Sequence, residues 1–92
     1  MRERDIEAYF VKRVKEAGGL QRKFVSPGHR GVPDRIAFFP MGRFYMVEFK
    51  APGKGPDDHQ AREIDRLFKV GFEVWVISDF EWVDVFIERS TR

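Results

Sequence analysis

The sequence predicts an α/β fold, with one domain in the order α-β-β-β-α-β-(α) and a mixed central sheet flanked by helices. Three observations carry this. Ninety-two residues leave room for one folded unit, spanning residues 1–92. Hydrophobic residues make up 42% of the chain, with ten Phe, two Tyr and two Trp, a load that excludes intrinsic disorder. The apolar spacing switches between the helical and the strand period along the chain, with no internal repeat, low-complexity run or linker to divide it.

Each element has its own signal. Glu3 to Ala17 carries Ile6, Phe10, Val14 and Ala17 at three- and four-residue spacing, an amphipathic helix that Gly18-Gly19 stops. Leu20 to Val25 reads as a strand and residues 26–31 as a loop. Arg35 to Phe39 and Phe44 to Lys50 form a hairpin closed by the turn Pro40-Met41-Gly42-Arg43. Residues 51–56 are a loop. Asp57 or Asp58 caps a second helix running to about Val70, with Ala61, Ile64, Leu67 and Phe68 on its inner face. Phe72 to Ile77 is nearly all apolar, as a central strand covered on both faces is. The tail admits two readings. Ser78-Asp79-Phe80-Glu81 fits a capping box opening a short helix to about Glu88, whereas Val83, Val85 and Ile87 alternate as in a strand. The helix is favoured.

Composition excludes several classes of function. The chain has no cysteine, so disulfide staples, thiolate metal sites and cysteine nucleophiles are absent. No run of about 18 apolar residues exists to span a membrane. The charged start Met1-Arg2-Glu3-Arg4-Asp5 has no apolar segment behind it, so a cytoplasmic location is expected. No zinc finger, P-loop or glycine-rich fingerprint calls for a nucleotide cofactor. The net charge of +2 is uneven: residues 1–56 carry twelve Lys/Arg and six Asp/Glu, residues 57–92 five and nine. The basic first part suits a polyanionic partner, although it equally fits a solvated surface.

Two strings carry chemistry. Gly31-Val32-Pro33-Asp34 enters the first hairpin strand and Glu48-Phe49-Lys50 closes the second. Side chains alternate along a strand, so Glu48 and Lys50 point one way, while Tyr45, Val47 and Phe49 form the apolar set on the other face. The hairpin brings Asp34 beside Glu48. Two carboxylates so placed repel each other, which favours capture of a hard cation. A neighbouring lysine can orient a water or stabilise charge growing on a phosphate. Either string alone fits a turn or a surface ion pair; their order across a hairpin is far more specific.

These residues resemble the PD-(D/E)xK nuclease superfamily and, within it, the VRR-NUC (virus-type replication-repair nuclease) family. The likeness rests on Glu7 in the first helix, Arg30-Gly31-Val32-Pro33-Asp34, Val47-Glu48-Phe49-Lys50, Gln60, and Gly71 before the strand Phe72 to Ile77. It spans about residues 4 to 89. The resemblance implies a restriction-endonuclease-like fold and a phosphodiesterase acting on DNA with Mg²⁺ or Mn²⁺. Stand-alone members of the family are homodimers resembling Holliday-junction resolvases, whereas the domain within larger repair nucleases works as a monomer. Asp34, Glu48, Glu7 and the Phe49 carbonyl oxygen are then the expected metal ligands, with Lys50 and Gln60 completing the catalytic set. Glu7 also fits a solvated helix surface near Arg4 or Lys15, and Gln60 a hydrogen-bonded helix–sheet contact.

His29, Arg30, Lys23, Arg43 and Lys54 are candidate DNA contacts; phosphate contacts of this kind position a duplex without reading its sequence. The expected function is a structure-selective endodeoxyribonuclease, most simply a four-way junction resolvase acting on branched DNA as a homodimer. A monomeric flap or end nuclease of the same chemistry, and a non-catalytic DNA-binding or dimerisation module, are the alternatives. The apolar patch that a second subunit would cover is expected on the tail, at Phe80, Trp82, Val83, Phe86 and Ile87, together with Tyr45 and Val47.

Overall fold

The computed structural model describes all of residues 1–92. Its elements follow the expected order: α1 (Glu3–Glu16), β1 (Leu20–Lys23), β2 (Arg35–Phe39), β3 (Arg43–Phe49), α2 (Asp58–Lys69), β4 (Val74–Ile77) and α3 (Phe80–Ser90). The sheet has the order β1-β2-β3-β4, antiparallel throughout except for the parallel β3–β4 pair. The crossover through α2 makes that parallel pair possible.

One face of the sheet is sealed. Ile6, Phe10 and Val14 of α1 and Val83, Phe86 and Ile87 of α3 pack onto Ala37, Phe39, Val47, Phe49 and Ile77. The Phe10 ring lies 5.1 Å from Phe49 and 5.4 Å from Phe86, centroid to centroid; such pairs add to what burial alone gives. Gly18 (φ +83°) ends α1 as the Gly-Gly pair predicts. Gly19 is required for a second reason, because a Cβ there would come within 2.7 Å of the Phe39 ring.

The other face is largely open, and here the structure departs from the sequence reading. Strand β4 is an edge strand, not a central one: Val76 is 37% exposed. Helix α2 touches the sheet chiefly over β4, so it buries no residue completely. Ile64 and Leu67 turn inward with Gln60 and Glu63, while Ala61 and Phe68 face solvent. Leu20, Phe38, Phe44 and Phe72 are each 39% or more exposed, and Phe44 links Phe38 (6.2 Å) to Phe72 (6.0 Å) across this face. A hollow of about 200 Å³ lined by Phe24, Ile36, Phe44, Met46, Leu67 and Phe72 lies beside them.

The expected patch is therefore misplaced. Val47, Val83, Phe86 and Ile87 are core, and of the tail only Phe80 and Trp82 are well exposed. The tail is a helix, but its cap is Asp79, which accepts from the Trp82 amide at 2.8 Å, in place of Ser78. Strand β1 stops at Lys23, two residues short of the expected Val25.

Candidate active site

The hairpin register fixes the centre of the site. Asp34 lies immediately before β2 and accepts, through Oδ2, the Phe49 backbone N–H at 2.8 Å. That bond pins its carboxylate against the end of β3, where Phe49 itself turns into the core and Glu48 and Lys50 turn to the opposite face. On the other side, the Asp34 carbonyl takes the Phe24 amide at 3.0 Å. The loop ahead of Asp34 is held by Gly31 (φ +86°), where a Cβ would lie within 2.5 Å of the His59 carbonyl oxygen at the start of α2. Only glycine allows both that backbone conformation and that approach.

Glu48 is the anomaly on which the site turns. Its residue is 1% exposed, yet neither carboxylate oxygen has a hydrogen-bond partner. The Lys50 Nζ stands 4.0 Å from Oε2. Burial first and the nearby Asp34 second push the Glu48 carboxyl up from 4.5 to about 8, and Lys50 only partly opposes them. A buried carboxylate without a donor costs stability of the order of 1–3 kcal/mol or more. A hard cation shared with Asp34 would relieve that cost, because carboxylate oxygens are what Mg²⁺ and Mn²⁺ prefer. No group of three Asp, Glu or His side chains converges here. The remaining coordination positions would fall to water, backbone carbonyl and phosphate, as Mg²⁺ tolerates.

The other expected residues divide. Glu7 is engaged by Arg35, whose Nε donates to its Oε2 at 2.7 Å, with Gln21 completing the network; it forms no ion pair with Arg4 or Lys15. Gln60 Oε1 accepts the Asp57 amide at 3.0 Å, and Asp57 Oδ1 accepts the Gln60 amide at 2.9 Å, so Gln60 is the reciprocal half of a capping box. Lys23 and Lys54 are exposed, and Lys23 pairs in register with Arg35 next to Asp34. His29 is tied to Glu63 at 2.8 Å. Arg43 stands apart from all of these. It sits at the far end of β3 and donates to the Ser90 and Arg92 carbonyls, satisfying the end of α3. Its partners are backbone oxygens, at the end of β3 opposite Glu48 and Lys50.

Sequence reasoning assigned no role to three residues that lie near the site. Glu3 adds its charge to the field that raises Glu48; it lies one helical turn before Glu7, and that i,i+4 spacing was the available signal. His59 and Arg62 open α2 beside the Gly31 loop, where they meet Arg30. No periodic pattern marks such a cross-element cluster.

Comparison with known proteins supports the fold and the family. No model of a known protein family matches the sequence. The chain is 49% identical over 77 residues to "Putative nuclease p44" of Acyrthosiphon pisum secondary endosymbiont phage 1, an alignment covering 84% of this chain and 83% of that one. A solved structure described as a VRR_NUC domain superposes with a TM-score of 0.87 at 38% identity, covering 94% of both chains. Fold and site thus define the PD-(D/E)xK class. Within it, the chain belongs to the VRR-NUC family of nucleases.

Proposed function

We propose that this VRR-NUC nuclease is a Mg²⁺- or Mn²⁺-dependent endodeoxyribonuclease that resolves four-way DNA junctions as a homodimer. The observation that carries the metal dependence is the buried, unpartnered Glu48 carboxylate beside Asp34. Asp34 and Glu48 would hold the ion, with the Phe49 carbonyl oxygen and Glu7 as further candidate ligands. Bound there, the ion would acidify a water and neutralise charge on the phosphate being cut. Asp34 is oriented for this by the Phe49 amide. Lys50 is 16% exposed at its side chain, so its ammonium is partly desolvated. It donates to the attacking water and to a phosphate oxygen, stabilising negative charge as it develops in the transition state.

The assembly reading rests on the open sheet face. A contiguous exposed apolar surface of this kind marks an interaction site. Nicking two strands related by a two-fold axis calls for two sites on a symmetric dimer. The test is cleavage of four-way, flap and linear DNA with Mg²⁺, alongside light scattering. A mass near twice 10.9 kDa with paired nicks in the junction supports the proposal. A monomer cutting only flaps would replace it with the flap-nuclease reading.

A further inference from the structure

The first turn of α2 and the loop ahead of Asp34 meet in a cationic cluster that the chemistry at Asp34, Glu48 and Lys50 leaves unused. Arg30 Nη1 lies 3.4 Å from His59 Nε2, and Arg62 Nη2 lies 3.3 Å from His59 Nδ1. Two guanidiniums therefore address the two nitrogens of one imidazole. A neutral imidazole has one lone pair to offer, and guanidinium groups only donate. One of the two contacts must set N–H against N–H whichever tautomer is present, and in the protonated ring both do. The cluster is short of an acceptor.

No carboxylate supplies it. The ion pairs of this region join His29 and Arg66 to Glu63, and neither Arg30 nor Arg62 has a carboxylate within 4.0 Å. Arg30, His59 and Arg62 are all exposed, so the missing acceptor can come from outside. The cluster is also held in place. The close approach of Gly31 to the His59 carbonyl fixes the Arg30 loop against α2, and the Asp57–Gln60 capping box fixes the turn that carries His59 and Arg62.

Position completes the case. Arg30 precedes Asp34 by four residues, which bounds their separation at roughly 14 Å. Asp57, the cap of α2, has its carboxyl lowered first by the Gln60 amide and then, among charges, by Lys50 and His59. Asp57 thus feels the charge of Lys50 as well as that of His59 in the cluster.

We propose that Arg30, His59 and Arg62 form a phosphate subsite that grips a DNA backbone phosphate close to the one being cut, setting the register of the strand across Asp34 and Glu48. The oxygens of a phosphodiester provide the acceptors the cluster lacks, and arginine presents its donors in the matching fork. These three are positioning residues. The subsite rests on the nuclease reading above, and binding without divalent ions separates the two.

The experiment measures DNA affinity by fluorescence anisotropy in EDTA across a salt series, for the native chain, Arg62→Gln and the double variant Arg30→Gln/Arg62→Gln. All three positions are solvent-facing, and thermal melts confirm folding. Each lost phosphate contact should lower the slope of log K against log salt by about one. In Mg²⁺, one methylphosphonate linkage near the cleavage position should slow the native protein about tenfold or more. It should leave Arg30→Gln/Arg62→Gln no slower than that variant is on unmodified DNA. Equal slopes for native and double variant overturn the subsite while leaving the nuclease reading intact. A native chain that does not bind DNA at all overturns both.

Discussion

The charge on Glu48 makes the stability of the metal-free protein depend on pH in a direction opposite to that of ordinary carboxylates. Folding raises this carboxyl from 4.5 to about 8, through burial first and Asp34 second. Between those values the native state holds a proton that the unfolded chain releases, so stability is full below pH 4.5 and falls as pH rises to 8. At about 1.4 kcal/mol per pH unit, the ceiling is about 5 kcal/mol. Glu48→Gln removes the titrating group while keeping its shape. Urea unfolding in EDTA at pH 4.5, 6.5 and 8.5 should show the native chain losing stability across the series and Glu48→Gln losing less. The variant should be the more stable of the two at pH 8.5. Every other side chain is common to the two proteins, so the difference isolates Glu48. Parallel pH profiles for the two proteins would refute the reasoning. Saturating Mg²⁺ should also flatten the native profile, because a ligand that binds only the folded state stabilises it.

Further outcomes follow from single contacts. Asp34→Asn should lose Mg²⁺-dependent cleavage at least a hundredfold, yet be as stable as the native chain without metal, since it removes the neighbouring charge; a folded variant cutting at the native rate would unseat Asp34. Lys50→Ala should retain Mn²⁺ binding by calorimetry and lose turnover; a loss of metal affinity equal to that of Asp34→Asn would place it differently. Gly31→Ala should cost about 2–3 kcal/mol in urea unfolding, from the left-handed backbone and the collision with the His59 carbonyl; a cost under about 0.5 kcal/mol would show the loop to be free. Phe44→Ser/Phe72→Ser should halve the mass seen by light scattering without lowering the melting temperature of the monomer; an unchanged mass would move the interface off the open face.

Much of this was legible in the sequence because the governing signals are local. The α1 stripe at Ile6, Phe10 and Val14, the glycine stop, the β2–β3 hairpin and the Asp57 cap each depend on a few neighbouring residues, and each is where the pattern put it. The alternation of Glu48 and Lys50 against Phe49 follows from strand geometry alone, and it places the acidic pair. What escaped was set by distant packing. Strand β4 reads as a central strand because Val74, Trp75, Val76 and Ile77 are all apolar, but whether both faces are covered depends on where α2 settles. Helix α2 settles over β4 at the sheet edge, so Phe68 faces water. The tail looked too apolar for one buried face, yet α3 buries Val83, Phe86 and Ile87 against α1 and the sheet. The uncovered face is made of Phe38, Phe44 and Phe72 from three separate segments. Arg43 donates to distant backbone carbonyls, and such partners leave no trace in residue spacing; the Gln60 contact did leave one, since Asp57 and Gln60 stand three residues apart as a capping box requires.

The most direct test is a single cleavage experiment on a synthetic four-way junction, with Mg²⁺ at millimolar concentration and the native chain beside Glu48→Gln. Paired, symmetric nicks are expected from the native protein. None are expected from Glu48→Gln or from the native protein in EDTA. Cleavage that survives in EDTA, or equal cleavage by Glu48→Gln, would contradict the assignment of the buried carboxylate to a metal-dependent nuclease.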